Sequence, residues 1–154
     1  MTNLQMPKVE QSILSMKDKI VSDFENILDS KNILFDDDEI RPYETDALAA
    51  YKQKPLIVVL PETVEQVSKI LKYCNENKIK VVPRGAGTGL SGGSLPLADC
   101  VLLGMGKFNK ILEIDYKNKC VVAQPCVTNL AITHAVQDNK FYYAPDPSSQ
   151  LACS

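Results

Sequence analysis

The chain has 154 residues, 45% hydrophobic and 23% charged, with 17 basic against 19 acidic side chains and a formal net charge of −2. That length fits one domain able to bury about two-thirds of its unfolded surface, and the composition is that of a globular protein rather than a disordered one. The slightly acidic balance excludes an electrostatically driven nucleic-acid binder, and no nucleic-acid partner is expected.

No uninterrupted apolar stretch is longer than Leu56–Leu60, against the roughly 20 residues of a membrane span, so no transmembrane segment is expected. Met1–Lys8 lacks the basic, then apolar, then small-residue order of a secretory signal, which makes the cytoplasm the expected address. Cys74, Cys100, Cys120, Cys126 and Cys153 contain no C-x-x-C pair. They are expected as reduced thiols, with no disulfide framework and no metal site.

In chain order, Val9, Ile13, Met16, Ile20, Phe24 and Ile27 recur at steps of three and four and predict one amphipathic helix from about residue 9 to 29. Asp36, Asp37, Asp38 and Glu39 follow as an acidic run without the alternation or central Gly of a calcium loop, and a solvated loop is expected. Ile57–Leu60 reads as a strand buried on both faces and ended by Pro61. Thr63 and Gln66 have capping-box spacing ahead of a helix whose apolar face is Val64, Val67, Ile70, Leu71 and Cys74. Ile79–Val82, ending at Pro83, predicts a second strand, which makes a βαβ unit with parallel strands.

Beyond a glycine-rich segment, Cys100–Leu103 reads as another buried strand. Ile111–Ile114 and Cys120–Ala123 then flank a polar loop of hairpin length, Thr128 can cap a short helix through about Val136, and Phe141–Tyr143 forms a last extended piece. The fold class is α+β: an N-terminal helix, a βαβ unit carrying the glycine-rich loop, and the start of a second, mixed or antiparallel α+β subdomain. His134 sits on the last helix with no paired carboxylate in sequence reach, and a surface or packing role is expected for it.

Five of the seven glycines fall within nine residues, Gly85 to Gly93. Such a cluster is expected where the backbone needs positive φ or where a ligand must approach main-chain N–H groups, and phosphate is the usual ligand. A Walker loop is excluded because Gly92 is followed by Gly93 and Ser94, with no lysine. Gly87-Thr88-Gly89-Leu90-Ser91-Gly92 spells the dinucleotide fingerprint, but the short stretch to Cys100, broken by Pro96, leaves no room for the helix that fingerprint requires. Asp115 is therefore not a ribose-binding carboxylate. A strand leading into a bare loop and then another strand would grip a pyrophosphate as an anion nest. Arg84, at the root of the loop, can pair with phosphate or tie down carbonyls and carboxylates, and both readings stand.

The run Arg84-Gly85-Ala86-Gly87-Thr88-Gly89-Leu90-Ser91-Gly92-Gly93, preceded by Leu60-Pro61-Glu62-Thr63 and followed by Pro145-Asp146-Pro147-Ser148-Ser149, resembles the FAD-binding domain of the vanillyl-alcohol oxidase (PCMH-type) superfamily. Within it, the chain is most similar to the FAD-linked glycolate oxidase subunits and the D-lactate dehydrogenases. The resemblance runs from about Arg41 to the last residue. It implies an N-terminal helical segment over 1–40 and a PCMH-type FAD-binding domain over 41–154, with a first subdomain at 53–104 and the start of a second at 110–154.

By the same resemblance, Arg84, Gly85, Ala86, Gly87, Thr88, Gly89, Leu90 and Ser91 wrap the FAD pyrophosphate, while Pro145, Asp146, Ser148 and Ser149 lie along the cofactor toward the flavin. Some relatives tether flavin to a histidine in the loop; Thr88 holds that place here, so FAD is expected to be non-covalent. Gln124–Thr128 corresponds to a turn near the cofactor, and Cys126 stands where glycine is usual. A positive φ there would strain a Cys by about 1–2 kcal/mol.

Relatives continue past the segment matching Ala152-Cys153-Ser154 into the rest of the FAD domain and a cap that binds a 2-hydroxy acid. The resemblance therefore implies a truncated oxidoreductase acting on glycolate or D-lactate, inactive alone, whose catalytic residues cannot be named. Its alternative is a non-catalytic remnant or binding module that associates with a second chain carrying the remainder.

Overall fold

A computed structural model describes residues 6–145 and 150–152. The apolar period of the first thirty residues holds across a break: it is carried by two helices, α1 (Gln11–Leu14) and α2 (Lys17–Glu25), rather than one. At the junction Met16 donates to Ile13 O at 3.1 Å in a tight turn, and the helical ladder restarts with Ile20 donating to Met16 O at 2.9 Å. Ile13, Ile20 and Phe24 stay on one buried face, because the turn bends the chain without rotating that face into water. Phe24 packs edge-on against Tyr73, with ring centroids 5.2 Å apart, and the Tyr73 hydroxyl donates to Asp23 Oδ2 at 2.6 Å.

Strand β1 (Ile33–Leu34), unforeseen because two residues carry no periodicity, is followed by a second correction. The acidic run is not a loop but a helical turn, α3 (Asp37–Ile40), preceded by Asp36 in a capping box. Carboxylates at a helix start meet free N–H groups and the positive end of the dipole, so acid-rich sequence favours the turn. The Glu39 carboxylate accepts the N–H groups of Phe35 and Asp36, each at 3.4 Å.

Strand β2 (Ile57–Val59) leads to α4 (Val64–Glu76), whose capping box forms as its spacing implies: Gln66 N–H donates to Thr63 Oγ1 at 3.2 Å. Of its expected apolar face, Ile70 and Cys74 are buried, whereas Val64 and Leu71 are 68% and 44% exposed at the margins of the stripe. Strand β3 (Lys80–Arg84) runs through Pro83 instead of stopping before it. The sheet order β1-β2-β4-β3 puts β3 at an edge. Met105 N–H donates to Arg84 O at 2.8 Å, which makes Arg84 a position bonded to β4 and turns the missing N–H of Pro83 to the open side.

Strand β4 (Cys100–Gly104) lies between β2 and β3 and parallel to both, so the two strands of the expected βαβ unit are parallel but not neighbours. Side chains alternate across the sheet. Ile57, Val59, Val101 and Leu103 join the core under α1, α2 and α4, while Val58 and Leu102 pack with Ile40 on the other face. The second part opens with an antiparallel hairpin, β5 (Ile111–Asp115) and β6 (Cys120–Ala123). It turns on Asp115, whose Oδ1 accepts Asn118 N–H at 2.9 Å, which gives this carboxylate a turn-forming role. Helix α5 (Asn129–Val136) is capped by Thr128, and His134 is exposed on it. Phe141–Tyr143 joins no ladder among the described residues.

Candidate functional site

The glycine loop leaves the sheet at the carboxyl end of β3, the end at which parallel α/β sheets bind ligands because the strand-to-loop crossings open a crevice there. No helix opens at its glycines: residues 85–99 contain only bends and turns between β3 and β4. Gly85, Ala86, Thr88, Gly89, Leu90 and Ser91 are exposed and Gly87 is half-buried. Among the described residues, none of the N–H groups from Gly85 to Ser91 donates to a protein acceptor. Seven consecutive amides without partners, on a segment open to solvent, fit an anion that would accept from several of them at once. Amides bonded inward would have excluded that use.

The contacts to the loop come from an earlier part of the chain. The Arg84 side chain folds back from β3: its Nη1 donates to Tyr43 O at 3.2 Å and its guanidinium lies 5.8 Å from the centre of the Tyr43 ring. The same guanidinium fills the place of a side chain at Gly87, where φ is +71° and a Cβ would come within 2.5–2.8 Å of Nη2, Nε and Cζ. Gly87 O accepts Ala47 N–H at 3.0 Å. At Gly92, with φ +75°, a Cβ would stand 3.6 Å from Leu48 Cδ2. Between these points Asp46 is 5% exposed; its Oδ1 accepts Leu48 N–H at 2.9 Å, and its buried Oδ2 has no hydrogen-bond partner among the described residues. Sequence reasoning missed Asp46 and Ala47, because nothing local marks a short Asx turn as the support of a loop some forty residues later.

Of the remaining expected site residues, Pro145 is exposed and its carbonyl accepts Asn129 Nδ2 at 3.3 Å, which ties it to the start of α5. Asp146, Ser148 and Ser149 lie outside the described residues. The turn at Gln124–Thr128 is held by Cys126 N–H donating to Phe108 O at 2.8 Å and Val127 N–H to Gln124 O at 3.1 Å. Positive φ among non-glycine residues occurs at Lys78, Lys119 and Lys140, so the strain foreseen at Cys126 is absent. The backbone there is ordinary, and a side chain is accommodated.

A hollow of about 300 Å³ borders Ser91 and Gly92, walled by Leu48, Tyr51, Leu95 and Leu97. A larger one, about 380 Å³, lies between the hairpin and α5, lined by Ile114, Val121, Ile132, Val136, Phe141 and Tyr142 among others. Its walls contain no residue of the glycine loop. No helix among the described residues is long and apolar enough to cross a membrane.

The FAD binding domain family matches residues 55–154. The glycolate oxidase subunit GlcD of Escherichia coli (strain K12) is 56% identical over 122 residues, 79% of this chain and 24% of the relative. The D-lactate dehydrogenase of Anaerostipes hadrus is 35% identical over 123 residues, 79% of this chain and 26% of the relative. Among solved structures, p-cresol methylhydroxylase with substrate bound superposes with a TM-score of 0.72 at 30% identity, over 88% of this chain and 27% of that one. The chain thus spans about a quarter of the length of the curated relatives it matches.

Proposed function

The chain belongs to the FAD-binding domain family, and from that premise we propose that it is the FAD-binding N-terminal portion of a flavin-dependent oxidoreductase acting on a 2-hydroxy acid, glycolate or D-lactate. Its cofactor is FAD. The observation that carries the site is the row of amides from Gly85 to Ser91 that, among the described residues, donate to no protein acceptor, on a segment open to solvent. These amides and the loop rooted at Arg84 hold the diphosphate, and Pro145, Asp146, Ser148 and Ser149 border the cofactor farther on. Thr88 offers no imidazole for a tether, and the FAD is held non-covalently.

Bound FAD supplies the hydride acceptor for oxidation at the α-carbon of the substrate. This chain's own part is to bind and orient. No residue of it is assigned as acid or base, and turnover is expected only with the remainder of the domain and a substrate-binding cap. The domain division at residues 40 and 41, with subdomains over 53–104 and 110–154, belongs to the same reading.

A second reading, a binding module that associates with a separately encoded chain, is favoured by one observation. The groove between the hairpin and α5 presents apolar and aromatic side chains to solvent, Tyr142 at 75% exposure. Its placement in the cytoplasm also remains part of the proposal, supported by free Cys74, Cys100, Cys120 and Cys126, and cell fractionation tests it.

The absorbance spectrum of the native chain tests cofactor binding: a flavin band that is released by acid precipitation supports non-covalent FAD, and a colourless chain that takes up no added FAD opposes it. Mixing with a chain that carries the remaining domain separates enzyme from module. Dye-linked oxidation of glycolate or D-lactate is expected on mixing; a tight, flavin-loaded but inactive complex would favour the module.

A further inference from the structure

We propose that Arg84 is a positioning residue, and that Tyr43–Leu48 is a brace that holds the glycine loop open from behind, so that Arg84 supports the diphosphate site without touching the diphosphate. This rests on the FAD reading and assigns the division of labour within it. The guanidinium is already engaged: one nitrogen donates to Tyr43 O, its plane lies near the Tyr43 ring, and its far edge occupies the side of Gly87 where a Cβ would stand. The loop is tied to one segment at two points, Arg84 to Tyr43 O and Gly87 O to Ala47 N–H, and Leu48 Cδ2 lies 3.6 Å from where a Cβ at Gly92 would stand. An anion bound by the amides would meet backbone, with Arg84 set behind Gly87.

Asp46 makes the test decisive, because its two effects have opposite signs. Its buried carboxylate is a negative charge near the site, so by electrostatics alone its removal would tighten binding of an anion. Its Oδ1, however, makes the Asx turn to Leu48 N–H that presents Ala47 N–H to Gly87 O. As part of a brace, Asp46→Ala weakens FAD binding, whereas Asp46→Asn keeps the Oδ1 acceptor, loses the charge and binds at least as tightly as the unmodified chain. Lysine can serve phosphate as a point charge but cannot span Tyr43 and Gly87 as a planar fork. Arg84→Lys is therefore expected to lose nearly as much affinity as Arg84→Ala, about tenfold, the scale of one hydrogen bond to a charged group.

FAD is titrated by quenching of flavin fluorescence, and amide hydrogen exchange is followed in the FAD-free chain. Exchange at Ala47 is expected to speed up about tenfold in Arg84→Ala, Arg84→Lys and Asp46→Ala but not in Asp46→Asn, while amides of β4 stay protected in all four and certify the fold. Tighter binding by Asp46→Ala, or retention of both affinity and Ala47 protection by Arg84→Lys, overturns the brace even if the unmodified chain binds FAD well. If the unmodified chain takes up no FAD, the cofactor reading fails, and the brace is then decided by exchange alone: unchanged Ala47 protection in the variants overturns it, and lost protection upholds it.

Discussion

At Gly87 two demands meet in one α-carbon: a φ of +71° and a side-chain position already filled by the Arg84 guanidinium. Alanine there would adopt a left-handed backbone costing about 1–2 kcal/mol and displace Arg84 from Tyr43 O. Gly87→Ala is expected to lower stability by about that amount in urea unfolding and to weaken FAD uptake at least about tenfold; wild-type affinity would mean that this geometry is not used. The thiols divide just as sharply. Burial pushes Cys74 up to about 12 and Cys100 up to about 11, while Cys120 is exposed. At pH 8 iodoacetamide should modify Cys120 in the native chain, and Cys74 and Cys100 only after unfolding; mass spectrometry of the peptides reads this directly. The glycine cluster was legible in the residues alone as a loop without a helix, whereas the ordinary φ of Cys126 and the bond from its N–H to Phe108 O came only with the fold.

Elements written in local code form where that code puts them. The Thr63 and Gln66 pair starts α4, and Thr63→Ala should cost about 1 kcal/mol of stability in chemical unfolding, the usual worth of such a cap. Elements held by distant partners were less legible. Strand β3 continues through Pro83 because an edge strand has a side that needs no donor. The start of β3 is anchored by Lys80 to Asp99 at 2.6 Å, and Asp99 also accepts Glu10 N–H at 2.8 Å. Burial pushes the Asp99 carboxyl up, but the Lys80 and Glu10 contacts outweigh it and hold its pKa below the usual value of 3.8. A depressed carboxylate contributes stability that is complete above the unfolded-chain pKa and is lost as pH falls through the folded value. Stability should therefore decline below about pH 4, and Asp99→Asn should show a shallower decline than the unmodified chain. Equal slopes in urea titrations between pH 5 and 3 would exclude Asp99 as a source.

For the molecule as a whole, two regions differ in how far they are covered. The four-stranded sheet has a core on the helical side that includes Ile20, Phe24, Ile57, Ile70 and Val101, all at 0% exposure. The hairpin and α5 enclose an open groove instead, with Tyr142 on its wall 75% exposed, and Leu112 and Val122 of the hairpin, outside the groove, are 60% and 50% exposed. Such a surface should bind a hydrophobic dye such as ANS, and a chain carrying the rest of the domain should suppress that fluorescence as it docks. Dye binding unchanged by a partner that nevertheless restores flavin binding would put the interface elsewhere. By itself the sequence determined the βαβ pattern, the hairpin, the caps and a glycine loop with no helix at its glycines, since each is encoded by neighbours a few residues apart. Only the tertiary structure decided that β4 enters between β2 and β3, and that Tyr43–Leu48 supports a loop far along the chain. Those contacts join residues whose separation leaves no periodic trace, and their energies exist only once the chain has folded.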